Sequence, residues 1–297
     1  MIEIKNVVKK FDSNIALDGL NIHVKDSSIY GLVGINGAGK TTIIKEIMGI
    51  QRPDEGEIII SGQPVYENVD IKAKLGYVSD DIYFPHGYAL RDMMRYYREI
   101  YKDFDEVRFC AMVNDFGLDA ARKLSAFSKG MQKQAAIIMA LSVKPDCLVL
   151  DEPIDGLDPV MRLKAWKYII DDVAERGTSV LISSHNLREM EGYCDHIGII
   201  ADGKMVIERE IDDLKTDVHK VQLAFKEKRN IDYGQLNVLH AESRGSVDML
   251  IIKNRREDVE RIIEEMDPAI FDMLPLSLEE IFIYELGGEN SEVAKLV

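Results

Sequence analysis

The sequence is short of cysteine, of long apolar runs and of positive charge, and each shortage narrows what the chain can be. Its three cysteines are Cys110, Cys147 and Cys194. They are far apart, odd in number and form no C-x-x-C pair, so they suit reduced cytosolic thiols and not a disulfide frame or a zinc site. His23, His86, His185, His196, His219 and His240 show no metal-ligand spacing either. No apolar run approaches the roughly 18 residues of a membrane span, and no cleavable leader is read before the first strand-like segment, Ile2 to Val8. Lys and Arg number 37 against 52 Asp and Glu, a formal charge of -15. An acidic surface argues against nucleic acid as the main partner. The 297 residues suit one large domain and a small one, and no internal repeat is visible.

What the chain does have is Gly34-Ile35-Asn36-Gly37-Ala38-Gly39-Lys40-Thr41-Thr42. An apolar run, Ile29 to Val33, leads into it, and a predicted helix, Lys40 to Met48, leaves it. This is the strand, glycine loop and helix of a P-loop, G-x-x-x-x-G-K-T. Glycines let the backbone turn tightly and bring N–H groups against phosphate oxygens. The helix N-terminus adds a positive dipole end aimed at the same anion. Lys40 supplies an ammonium for the β- and γ-phosphates, and the Thr41 hydroxyl is a hard oxygen ligand suited to Mg²⁺. The spacing is not that of the dinucleotide fingerprint G-x-G-x-x-G.

Around the loop, Ile2–Val8 and Leu20–Val24 read as strands. Phe11 lies between them, either as a core hydrophobe or as a ring that stacks on a purine. A turn at Gln51–Gly56 precedes strands at Glu57–Ile60 and Leu75–Val78, and Asp80 and Asp81 follow. From Leu90 to about Phe116 the pattern is helical, with Leu90, Met93, Met94, Tyr97 and Tyr101 on one face. Val107, Cys110, Ala111, Val113 and Asn114 suggest a second helix closed near Gly117. The aromatic and Met density of Tyr83 to Tyr101 fits either core packing or a groove for a partner helix. Ser128 is placed to cap a helix from Lys129 to about Val143. Cys147–Leu150 is a strand buried on both faces that ends in Asp151-Glu152-Pro153. Asp158-Pro159 caps a helix that Gly177 ends. Ser179–Ile182 is a further buried strand, ending in Ser183-Ser184-His185. A helix over Asn186–Tyr193 and strands over Ile197–Ile200 and Lys204–Ile207 follow. Alternating buried strands and helices imply an α/β fold around a mostly parallel sheet. After about Asp213 the composition changes. Val218–Phe225, Leu236–Ala241 and Val247–Ile252 read as strands, and Glu257–Met266 and Leu278–Leu286 as helices. The predicted organisation is a nucleotide-binding domain over 1–213, with an antiparallel β subdomain and a helical subdomain over about 85–143. An α+β accessory domain over 214–286 and a loose tail over 287–297 complete it.

Asp151 and Glu152, at a strand end downstream of a P-loop, form the second half of a nucleotide site. One carboxylate can hold Mg²⁺ through water, and Glu152 can orient or deprotonate an attacking water. His185, at the end of another strand, is either a surface polar group or a donor to the γ-phosphate.

With these motifs in place, residues 1 to about 210 resemble the ATP-binding cassette (ABC) ATPases. Gly34–Thr42 matches the family's Walker A loop, Leu150–Pro153 the Walker B end, Gly156–Asp158 the D-loop and His185 the switch histidine. The resemblance implies that Phe11 stacks on adenine and that Asn36, Gly37, Ala38, Gly39, Lys40, Thr41 and Thr42 cradle ATP. It implies Mg²⁺ held by Thr41, Asp80 and Asp151, and Glu152, His185 and Lys40 as the catalytic groups. Phe127-Ser128-Lys129-Gly130-Met131 stands where the family has L-S-G-G-Q. Ser128, Gly130 and Asp158 would then serve the nucleotide of a second cassette. Lys129 replaces the first glycine of that signature. Asp80 replaces a glutamine, and whether Asp80 or Asp81 holds that register is open. Ser277-Leu278-Glu279-Glu280-Ile281-Phe282 looks like the end of cassettes from the bacterial drug- and peptide-export branch. The implied protein is an ATP-hydrolysing transporter subunit at the inner face of the cell membrane, working with a separate permease. The alternatives are a non-transport ABC ATPase or a catalytically weak half of a heterodimer.

Overall fold

The structure is a computed structural model and describes residues 1–226 and 233–286; the tail expected over 287–297 lies outside them. In chain order the elements begin with strands β1 (Ile2–Phe11), β2 (Asn14–Val24) and β3 (Ile29–Val33) and helix α1 (Lys40–Ile47). Strands β4 (Glu55–Ile60) and β5 (Gln63–Pro64), helix α2 (Val69–Lys72) and strand β6 (Leu75–Val78) follow. Next come helices α3 (Leu90–Ile100), α4 (Glu106–Asp115) and α5 (Lys129–Ser142), strand β7 (Cys147–Asp151), helix α6 (Pro159–Arg176) and strand β8 (Ser179–Ser184). Strands β9 (His196–Ala201) and β10 (Lys204–Glu210), helix α7 (Ile211–Asp217) and strands β11 (Val218–Ala224), β12 (Val238–Arg244) and β13 (Val247–Lys253) follow. Helix α8 (Arg256–Glu265), strand β14 (Ile270–Leu274) and helix α9 (Leu278–Leu286) close the chain.

The chain forms two compact units. The larger holds Met1–His185 and Tyr193–Glu208. Its six-stranded sheet has the order β10-β9-β3-β8-β7-β6, with β3, β6, β7, β8 and β9 parallel. Every residue of β3, β7 and β8 is buried, which is why these strands read as unbroken apolar runs. A second, antiparallel sheet of order β2-β1-β4-β5 buries Ile2, Ile4, Ile58 and Ile60 on one face, with the half-buried Glu3 and Ile59 alternating between them. One apolar core joins the two sheets through Ile43, Ile44 and Ile47 of α1. This is the expected α/β fold with an antiparallel β part and a helical part.

Helix ends follow the sequence. Ser128 Oγ accepts from Met131 N–H, and Asp158 Oδ1 accepts from Val160 and Met161 N–H. Gly177 closes α6 in the left-handed conformation. In the helical part Leu90, Met93 and Met94 of α3 are buried. The buried face of α4, however, is Phe109, Met112 and Val113, while Val107 and Cys110 are exposed. Phe109, Met112 and Val113 lie three to four residues apart and share one face, and of the expected stripe only Val113 falls on it; the face with the larger Phe and Met side chains is the one buried.

The second unit takes Asn186–Gly192 and the chain from Arg209 onward. The helix expected over Asn186–Tyr193 is one 3-10 turn at Leu187–Glu189, with Leu187 and Met190 buried; apolar residues three apart satisfy that tighter spiral. The antiparallel sheet of this unit has the order β12-β13-β11-β14. Its edge strand β14 and the helix α7 were not legible from the sequence. Packed on the sheet, α8 buries Val259, Ile262 and Ile263 against Val221, Leu223, Leu250 and Ile252. A capping box starts α9. Glu280 N–H donates to Ser277 Oγ at 3.2 Å, and Ser277 N–H donates to Glu280 Oε2 at 3.0 Å.

Candidate active site

The loop between β3 and α1 borders a cavity of about 540 Å³. Phe11, Asn36, Gly37, Gly39, Lys40, Thr41, Thr42, Asp80 and Glu152 line it, with Asn14, Ala16 and Gly203 on the same wall. Gly37 and Gly39 have φ of 87° and 112°, where a side chain is strained, and a Cβ on Gly39 would stand 2.9 Å from Ala16 O. Ala38 is buried and its N–H bonds Ile35 O, so only its neighbours face the cavity. Phe11 is 43% exposed, which removes the core reading; its ring sits at the mouth with Lys9 Nζ 5.6 Å from its centroid.

Lys40 is buried. Its ammonium donates to the carbonyl oxygens of Gly34 and Ile35 and lies 3.3 Å from Glu152 Oε1. That last contact is an ion pair without hydrogen-bond alignment, because Oε1 has no hydrogen-bond partner. The other oxygen of Glu152 meets His185, with Nδ1 at 2.9 Å and the His185 N–H donating at 3.3 Å. Glu152 has φ of 46°, an uncommon conformation for a residue with a Cβ. Three contacts hold it there: its N–H donates to Ser183 Oγ at 3.1 Å, its carboxylate engages His185, and its carbonyl accepts from Lys133 Nζ at 2.6 Å.

Asp151 ends β7 and is buried. Burial pushes its carboxyl up from the ordinary value, and the neighbouring Ser183 and Thr41 hydroxyls oppose that. Ser183 Oγ donates to Asp151 Oδ1 at 2.6 Å, while Oδ2 is buried with no hydrogen-bond partner. An orphaned carboxylate oxygen beside a threonine hydroxyl fits a hard cation. Among the described residues no three His, Cys, Asp or Glu form a metal cage, so such a cation would draw its remaining ligands from phosphate and water. Asp80 lines the cavity and its carboxylate is 55% exposed, whereas Asp81 does not line it.

Ser128, Gly130 and Asp158 are absent from this cavity. Ser128 and Asp158 are exposed at the starts of α5 and α6, and a Cβ on Gly130 would stand 3.0 Å from Gly156 O. Lys133 and Ser183 were missed by sequence reasoning. Ser183 was visible as the hydroxyl two residues before His185. No local signal marks Lys133, because its partners are 19 and 53 residues away.

The family profile described as ABC transporter matches residues 17–155. Over 290 residues the chain is 30% identical to the ABC transporter ATP-binding protein YtrB of Bacillus subtilis, covering 98% of this chain and 99% of that one. The chain belongs to the ATP-binding proteins of ABC transporters. It is an ATP-binding subunit of such a transporter and an ATPase by family. It is also 31% identical to the bacitracin transport ATP-binding protein BcrA of Bacillus licheniformis, covering 97% of this chain and 98% of that one. A solved ATP-binding subunit of an ABC transporter superposes with a TM-score of 0.68 at 26% identity, over 72% of this chain and 92% of that one. The dimeric cassette MJ0796 has the same fold, with a TM-score of 0.66 at 22% identity over 71% of this chain and 99% of that one. Among the described residues no helix is long and apolar enough to cross a membrane.

Proposed function

We propose that this cassette hydrolyses ATP in the Lys40–Glu152 cavity and drives export of a drug, peptide or similar substrate through a separate membrane permease. The observation that carries the reading is Glu152, anchored between Lys40 and His185 at the wall of the P-loop cavity. In it, Phe11 stacks on adenine, and the N–H groups of Asn36, Gly37 and Gly39 with Thr41 and Thr42 receive the phosphates, while Ala38, its N–H taken by Ile35 O, only shapes the loop. Lys40 leaves Glu152 for the β- and γ-phosphate oxygens. Glu152 then orients and deprotonates the attacking water, and His185 donates to the γ-phosphate. Thr41, Asp151 and Asp80 would hold Mg²⁺. When bound, the cation neutralises charge that builds on the β- and γ-oxygens. Ser128, Gly130 and Asp158, all away from their own cavity and with Ser128 and Asp158 exposed, serve the nucleotide of a second copy or a paralogue.

Residues 1–213 act as the cassette and 214–286 as an accessory domain. The exposed Tyr83, Tyr88 and Tyr96 beside the buried Met93 and Met94 offer a surface for the permease, which would hold the cassette at the cytoplasmic face of the membrane. Export over import is supported by the Ser277–Phe282 resemblance, and a transport role by the name of BcrA. The test is Glu152→Gln, which keeps the shape and removes the base. Turnover should stop while ATP stays bound to the purified chain; turnover at the wild-type rate would overturn the site assignment.

A further inference from the structure

Lys133 touches the Glu152 carbonyl, yet the proposed reaction makes no use of it. It is buried at 8% exposure, in the second turn of α5, five residues after Ser128. Burying a lysine ammonium is costly unless its donors are taken up. Here they are directed at the ATP cavity. Nζ donates to Glu152 O at 2.6 Å and stands 3.4 Å from Asp80 Oδ1. One ammonium thus holds the carbonyl of the residue in left-handed conformation and the Asp80 carboxylate, both on residues that line the cavity.

We propose that Lys133 is a positioning residue for hydrolysis, fixing the Glu152 turn and Asp80 together from the helix whose N-terminus is Ser128. The inference rests on the proposed role of Glu152. A residue held at φ of 46° relaxes toward ordinary backbone angles once its carbonyl is released. Its carboxylate is oriented by that same backbone, so loss of the Lys133 donor moves the oxygens that face the water. A neutral donor could hold the carbonyl. It could not also neutralise Asp80, which stands where the resembling family has an uncharged glutamine. The lysine therefore matches the acidic substitution across the cavity wall. Because α5 is one continuous helix, a displacement of Ser128 by a second nucleotide would reach Lys133, about 7 Å along the axis, and through it the Glu152 carbonyl.

The experiment compares Lys133→Met and Lys133→Arg with Glu152→Gln in the full chain, reading ATP affinity by calorimetry, kcat, KM and thermal midpoint. Lys133→Met keeps the apolar stem. It should lower kcat by about a hundredfold, the order expected for a displacement near 1 Å, with ATP affinity and KM within about twofold. Lys133→Arg, which restores a cationic donor, should recover most of kcat. Unchanged kcat in Lys133→Met alongside an inactive Glu152→Gln would overturn the role of Lys133 alone. Glu152→Gln with wild-type turnover would overturn the site reading on which it rests. Loss of kcat in Lys133→Met accompanied by an equal loss of ATP affinity and no recovery in Lys133→Arg would mark a packing role, and also overturn the proposal.

Discussion

In the larger unit, four buried charged side chains gather around the carboxyl ends of the parallel strands; among the described residues of the C-terminal unit no charged side chain is buried. Lys40, Lys133, Asp151 and Glu152 are all less than a tenth exposed, and Asp151 Oδ2 and Glu152 Oε1 lack hydrogen-bond partners. Such groups are expensive to leave unmatched. They persist because β3, β7 and β8 are buried on both faces and leave their ends no freedom to rearrange. The C-terminal sheet packs Val221, Leu223, Leu250 and Ile252 under α8 and leaves pairs such as Arg256 and Glu260 exposed at 67% and 40%. The contrast separates a region built to hold an anion from one built to be stable. Neighbouring charge can also be structural and costly: Glu46 on α1 is 1% exposed, and neither of its oxygens has a hydrogen-bond partner.

Substitutions sharpen this contrast, beginning with the largest effect. Lys40→Ala removes the loop's cation and leaves Glu152 without its ion pair. It should weaken MgATP binding by more than about 3 kcal/mol, the scale for truncating one partner of a buried charge pair. Calorimetry at wild-type affinity would erase the distinction between the two regions.

Glu46→Leu tests the cost of buried charge away from the phosphates. Burial chiefly, then Asp54, raises the Glu46 carboxyl from 4.5 to about 7, with Lys9 opposing. The folded value lies above the unfolded one, so the protonated, more stable form prevails at low pH. Stability then falls as pH rises from about 4.5 to 7, by about 3 kcal/mol at most. The leucine variant should lose that slope and be more stable than wild type at pH 8 in denaturant titrations. An unaltered pH profile would contradict the burial argument.

Phe11→Ala should weaken ATP binding by about 1–2 kcal/mol, a typical loss of base stacking, with the thermal midpoint unchanged because the ring is not in the core. A lowered midpoint with unchanged affinity would reverse that assignment. In the C-terminal unit, Glu260→Ala should cost only about 0.3–0.5 kcal/mol, since an exposed i,i+4 pair contributes no more. A cost several times larger would show that surface charge there is structural after all.

The features legible in the sequence were those set by local chemistry. Gly34–Thr42, the apolar strand before Asp151, the Ser128 and Asp158 caps and the Gly177 stop depend on neighbours a few residues away. What escaped depends on distant partners. Strand β14 is only five residues long, Ile270-Phe271-Asp272-Met273-Leu274, with one polar residue and no regular alternation, and it is fixed by pairing with β11 about 50 residues earlier. The segment after His185 carries helix-forming residues, but only Leu187 and Met190 are buried, and a single tight turn suffices. Lys133 looked like one more polar residue on α5 until the fold brought Glu152 and Asp80 to its ammonium. The spacing of Asp80 relative to Gly76-Tyr77-Val78 could be read, whereas the cation that matches it could not.

The central claim is that Glu152 acts in a site completed by Ser128 and Gly130 of a second cassette. Each exposed helix start can point at only one anion, so ATP acts as the shared ligand, and loss of the γ-phosphate releases the pair. Sedimentation of Glu152→Gln and wild-type protein in MgATP tests it most directly. The account predicts a dimer that requires ATP, persists in Glu152→Gln and is transient in the wild type as ATP is consumed. A strictly monomeric Glu152→Gln protein that turns over ATP at the wild-type rate would contradict it.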